Sequence, residues 1–136
     1  FLIVFVLAGC APLPPSTQDI EAKRFESVPG KAVIYLVRDL PDVSREVATL
    51  MLNDTMMGST YPGTYFRWVV EPGRHRIRGF AGDAGAIDID VAADRIYYVQ
   101  QSYTRGFTGF GQSFFRHIPE GYGRGAILRS ELVGGR

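Results

Sequence analysis

The chain has 136 residues, a length that suits one domain rather than two. Hydrophobic residues make up 46% and charged residues 21%, which excludes wholesale disorder. A chain of this size buries roughly two-thirds of the surface its unfolded form exposes, enough for a core of its own. The single cysteine excludes an internal disulfide framework and a cysteine-based zinc site, and a net charge of +1 argues against general nucleic-acid binding.

Residues 1–7 are uninterrupted apolar side chains, followed by Ala8, Gly9 and Cys10. The run is far shorter than the ~20 residues of a membrane span and fits the apolar core of a secretory signal. No Met or basic leader precedes Phe1, so the start of the precursor is expected upstream. Leu7-Ala8-Gly9-Cys10 resembles the lipobox of bacterial lipoproteins. That resemblance implies a diacylglycerol thioether on Cys10, cleavage before it and acylation of the new amino group. Two or three acyl chains anchor stably where one does not, because each buried CH₂ contributes ~0.8 kcal/mol. Ala11 stands where an Asp would imply inner-membrane retention, so an outer-membrane location is favoured in an organism with two membranes. The expected organisation is a signal peptide over residues 1–9, a lipidated cysteine and tether over 10–30, and a β domain over 31–136.

Pro12, Pro14 and Pro15 stiffen the start of the tether, and twenty flexible residues would hold the domain ~25 Å from its anchor. Residues 19–25 allow one helical turn without a convincing cap. Residues 32–37 are apolar on both faces and rich in β-branched side chains, which predicts a strand covered on both sides. Strands follow over 46–52, ending at the Asn53-Asp54 turn, and over 64–70, with Phe66, Trp68 and Val70 on one face. A short return around Met56-Met57 lies between them. Pro72-Gly73 turns into 74–80, where His75 and Ile77 alternate with Arg74, Arg76 and Arg78. In 86–91, Ile87, Ile89 and Val91 alternate with Asp88 and Asp90. A hairpin centred on Asp83 puts Arg78 opposite Asp88, Arg76 opposite Asp90, Ile77 against Ile89 and His75 against Val91. Residues 95–103 form a long strand. Beyond it the pattern dissolves into glycine and aromatics, with a short helix or last strand over 125–132. Short strands at regular spacing predict an all-β fold, an antiparallel β-sandwich of about seven strands with at most one short helix.

Pro29-Gly30-Lys31-Ala32-Val33-Ile34-Tyr35, the Leu52-Asn53-Asp54 turn leading to Gly58, Tyr65-Phe66, Pro72-Gly73-Arg74-His75 and Ile96-Tyr97-Tyr98-Val99 occur in that order. The set resembles a family of short bacterial lipoproteins defined only by a domain of unknown function. To a lesser degree it is similar to small surface β modules named for a Pro-Glu-Gly-Ala motif. The likeness covers roughly residues 28–100, implies a β fold and a lipoprotein, and carries over no catalytic residues.

The chain offers little for catalysis. His75 falls on the inner face beside Ile77, the setting of a satisfied core histidine, and His117 lies far from it with Arg116 and Glu120 nearby. Ser113 resembles a nucleophile turn but lacks the second glycine, which makes it a loop serine. Asp88 and Asp90 already have arginine partners in the hairpin, so no cofactor, metal or paired-carboxylate chemistry is expected. There are thirteen Arg against two Lys, and residues 95–136 carry six Arg and two Glu. Among them Phe107, Phe110, Phe114, Arg116, Tyr122 and Arg124 form the candidate surface. Either these aromatics fold back to cap one open end of the sandwich, or they bind an envelope protein or an anionic envelope polymer.

The expected function is therefore a lipid-anchored, non-enzymatic binding or assembly module of the cell envelope, with the membrane as partner through Cys10 and no nucleic acid. A hydrolase using His117 with Ser113 or Glu120 is one alternative, and a purely structural envelope component is another.

Overall fold

The computed structural model describes residues 9, 13–107 and 109–134; the signal run and Cys10 fall outside the described residues, apart from Gly9. Helix α1 (Thr17–Ala22) precedes strands β1 (Ala32–Arg38), β2 (Ala48–Leu52), β3 (Thr55–Thr60), β4 (Thr64–Val70), β5 (Gly73–Gly79), β6 (Ala86–Val91), β7 (Arg95–Arg105) and β8 (Gly111–His117). Helix α2 (Glu120–Leu128) and the two-residue β9 (Glu131–Leu132) follow. The strands form two sheets, ordered β8-β7-β1-β4-β9 and β3-β2-β5-β6. The all-β sandwich is as expected, but the described residues hold nine strands and two helices rather than seven and one. The larger sheet is also mixed, because β1 runs parallel to β7 and β4 parallel to β9. The chain builds the whole smaller sheet between β1 and β7, and local hairpin signals cannot reveal such a return.

β1 is buried along its entire length. Ala32, Ile34 and Leu36, with Phe66, Trp68 and Val99 of the same sheet, face Leu50, Ile77 and Ile89 of the smaller sheet in one core. Val33, Tyr35 and Val37 face the other way, into a second core closed by Ala22 of α1 and by Ala126 and Ile127 of α2. The architecture has three layers, and the helices are what cover the outer face of β1. Helix α2 arises despite three glycines, each disfavoured there by ~1 kcal/mol relative to Ala. Gly123 shows why: a Cβ there would lie 2.6 Å from the Tyr98 ring, so only glycine lets the helix settle on β7.

Helix α1 corrects the expectation of a free tether. Ser16 caps it, its hydroxyl accepting the Asp19 amide at 3.1 Å. Asp19 then accepts the Tyr65 hydroxyl at 2.6 Å and the Lys23 ammonium at 2.8 Å, while Lys23 also donates to the Ser130 carbonyl at 2.7 Å. Burial would raise the Asp19 carboxyl, but the bonds from Lys23 and Tyr65 outweigh it and hold the pKa below the ordinary value. Residues 16–22 thus pack on the β core instead of standing off it.

The β5–β6 hairpin keeps the expected faces but shifts its register. Arg76 stands opposite Asp88, Arg74 opposite Asp90, and His75 opposite Ile89. The turn centres on Gly82 rather than Asp83, with the Gly79 amide donating to the Gly85 carbonyl at 2.9 Å. Asp83 is drawn off the turn axis to β8, where it accepts the Ser113 amide at 2.7 Å and the Ser113 hydroxyl at 2.5 Å. Asp88 in consequence pairs with Arg74 and Arg76, and Arg78 pairs with Asp54. At the β2–β3 turn Asn53 and Asp54 both take positive φ, 49° and 64°, as a type I′ hairpin requires.

Candidate functional site

The six residues of the candidate surface separate into three places. Phe114 and Arg116 alternate on β8, so both point to the outer face of the larger sheet, opposite Ser102 and Gln100 of β7. Arg116 donates through Nε to the Gln100 side-chain carbonyl at 2.7 Å, and the Gln100 amide donates to the Tyr122 hydroxyl at 3.3 Å. Tyr122 in turn donates to Asp39 at 3.1 Å. A shallow depression of about 290 Å³ lies among Gln100, Ser102, Phe114, Phe115 and Arg116. Here the helical layer stops short, leaving Phe114 58% exposed beside a guanidinium.

Phe107 and Phe110 sit elsewhere, in the loop joining β7 to β8 at one end of the sandwich. Phe110 leans over Gly82, where a Cβ would come within 2.5 Å of its ring, while Phe107 projects fully into solvent. Capping and exposure therefore occur side by side in one loop. Arg124 forms a third place on α2. It pairs with Glu120 at 2.7 Å, donates to the Tyr98 hydroxyl at 3.3 Å and lies 5.0 Å from the Phe25 ring centroid.

Ser113 is not the loop serine expected from its neighbours. It lies buried on β8, donating its hydroxyl to Asp83 and accepting from the Gln101 amide at 3.0 Å. Gln101 accepts from Thr60 at 2.7 Å, so these four side chains staple the two sheets together. His117 is exposed four residues farther along the same strand, ~13 Å away at strand spacing. It instead lines an open cleft of about 560 Å³ with Glu120, Tyr97, Tyr98 and Asp94. His75 is satisfied but only half-buried, because it sits near the Asn53-Asp54 turn rather than in the core. Asn53 donates to its Nδ1 and its Nε2–H donates to the Glu71 carbonyl, both at 2.6 Å. Among the described residues no group of three or more His, Cys, Asp or Glu side chains is placed to hold a metal ion, and no helix is long and apolar enough to cross a membrane.

Sequence reasoning overlooked Arg38. It ends an otherwise apolar strand yet is fully buried, with 0% of its side chain exposed. Its Nε donates to Asp42 at 2.6 Å, and its terminal nitrogens donate to the carbonyls of Glu46, Ser44 and Thr60 at 2.6, 2.7 and 3.2 Å. Asp42 also accepts the Ser102 hydroxyl at 2.7 Å and the Tyr103 amide at 3.1 Å. Burial pushes the Asp42 carboxyl up, but the bonds from Ser102, Arg38 and the Val43 and Tyr103 amides prevail and keep its pKa low. The pair fixes the loop over residues 39–47 to the sheet from inside. The available signal was an Arg closing an all-apolar strand with an Asp four residues on. Comparison of the chain with protein-family models, with curated proteins and with solved structures yields no match.

Proposed function

We propose that the protein is a lipid-anchored lipoprotein of the cell envelope and a non-enzymatic docking module. Its membrane attachment is through acylated Cys10, and it offers Phe114, Arg116 and Tyr122 to an envelope protein. The observation that carries the docking half is the gap in the helical layer. Helices α1 and α2 cover the outer face over β4, β1 and the Tyr98 part of β7, yet over residues 100–102 of β7 and over β8 an exposed Phe stands next to an Arg. Aromatic and arginine side chains are the types that dominate binding energy at protein interfaces. The Leu7-Ala8-Gly9-Cys10 motif after an apolar run supports the anchoring half. An anionic envelope polymer would use the same guanidinium but has less use for the exposed Phe114 ring.

A photo-reactive residue at position 114, in intact envelopes, tests the docking reading. One dominant protein adduct, lost when Arg116→Ala is added, is the expected result. Adducts to glycan alone, or a set of adducts unchanged by Arg116→Ala, would overturn it.

A further inference from the structure

The two ends of the sandwich differ in a way the docking patch does not use. β1 and β7 run in the same direction, so the loops after them emerge at one end, joined there by the β3–β4 and β5–β6 turns. This end carries Leu40, Val43 and Val47 on the first loop and Phe107 and Phe110 on the β7–β8 loop, all exposed. Tyr61 and Phe80 stand exposed on the two turns between them. The opposite end, at 53–54, 71–72 and 92–94, presents Asn53, Asp54, Glu71 and Asp94 on its turns, and the exposed Met56 and Val69 near it stand on the strands beside those turns rather than at their tips. On the first of these loops the aliphatic side chains are held outward, because the Arg38–Asp42 pair fixes residues 39–47 from within. Arg45 of that loop is exposed and has no hydrogen bond or ion pair among the described residues, while Arg105 beside it pairs with Glu46 at 3.3 Å.

The segment leading into α1 also lies at this end. Leu13 lines one open cleft with Tyr61, Thr64 and Leu128, and Thr64 is the residue opposite Arg38 at the close of β1. Two residues lie between Leu13 and Cys10, so the three residue steps reach at most ~11 Å even when fully extended. We infer that the apolar end is a second membrane contact: the domain stands end-on, with Val43, Phe107 and Phe110 in the headgroup region of the bilayer that holds Cys10 and Arg45 among anionic headgroups. The inference rests on the proposed acylation of Cys10. Aromatic and aliphatic side chains on loop tips, with a cation behind them, suit the boundary between headgroups and acyl chains. An acyl anchor this close makes their insertion effectively intramolecular, so weak contacts suffice. The same orientation turns the Phe114–Arg116 patch sideways, toward neighbours standing on the same membrane.

The test uses the acylated protein, purified from membranes and reconstituted in vesicles of phosphatidylethanolamine and phosphatidylglycerol. Spin labels are attached at Val43→Cys, Phe107→Cys or, as the control at the polar end, Asp54→Cys. Labels at 43 and 107 are expected to meet dissolved oxygen and to be shielded from a water-soluble relaxation agent, whereas the label at 54 meets the aqueous agent. In otherwise unlabelled protein, Phe107→Asp is expected to speed release from the vesicles about tenfold or more. Labels at 43 and 107 as open to water as that at 54, on protein that still floats with the vesicles, would overturn the end-on contact and leave the anchor standing. Mass spectrometry showing an unacylated Cys10 would instead overturn the anchor, and this placement with it.

Discussion

The two ends of the sandwich are built from the same kind of element, short loops between strands, and reach opposite chemical outcomes. At the polar end, turn chemistry suffices: Asn53, Asp54 and Asp94 themselves supply the positive φ values. At the apolar end, the loop over residues 39–47 turns its aliphatic side chains outward and fills its inside with a charged pair. Such a loop cannot be held by hydrophobic burial, so it is held by Arg38 and Asp42. The difference teaches that exposed apolar residues here are positioned by a buried polar network, which is how a folded domain displays them without collapsing over them.

The strongest way to break this contrast is to remove the network. Arg38→Ala leaves the Asp42 carboxylate buried without its counter-charge, and a loss of about 3–5 kcal/mol in urea unfolding is expected. Hydrogen exchange should quicken over residues 39–47 well before it changes at 53–54. A stability unchanged within error would show that the loop is held otherwise. Acid offers a milder version. The Asp19, Asp39 and Asp42 carboxyls all have folded-state pKa values below the ordinary one. Their contribution is therefore complete above the unfolded value of about 4 and is lost as pH falls through the lower folded values. All three lie toward the apolar end, so amide protection measured down the acid limb should fail there first and last longest in the β2–β3 and β4–β5 turns.

Smaller effects sharpen the account of the helical layer. Gly123→Ala gains helix propensity but drives a Cβ into Tyr98, and a net loss of about 1–3 kcal/mol is expected. Gly121→Ala meets nothing within 4 Å and should gain about 0.5–1 kcal/mol on the same helix. Equal changes at the two positions would remove the close approach as the reason for glycine. Least of all, Arg78→Ala, which breaks an exposed pair with Asp54 at the polar end, should shift the unfolding midpoint by an amount worth less than about 1 kcal/mol.

The strands were legible wherever side chains alternate. Residues 64–70 and 86–91 match β4 and β6 residue for residue, and the two-faced apolar run of β1 announced a layer on each side. What lay beyond reading was decided by partners far along the chain. Asp83 leaves the hairpin axis for Ser113, thirty residues away, and so moves the register by a step no local charge pattern discloses. Helix α2 is written in glycines because it leans on Tyr98, which makes its sequence look like a loop. Within the candidate surface, Phe114 and Arg116 share a face by strand alternation, which the sequence allows one to see. Tyr122 joins them only through Gln100, while Phe107 and Phe110 depart to an end whose other apolar residues, Leu40, Val43 and Val47, carried no pattern at all. Arg38 read as the polar close of a strand because its guanidinium finds three carbonyls and a carboxylate only once the loop has folded over it.

A side patch for a protein and an end for the bilayer are separable in one measurement. Photo-reactive residues at 107 and at 114, activated in intact envelopes, report both surfaces from the same folded molecule under the same conditions. The expected outcome is lipid adducts from 107 and one dominant envelope protein from 114. The same protein captured from both positions, or protein from 107 with lipid from 114, would contradict the division of labour between the end of the sandwich and its outer face.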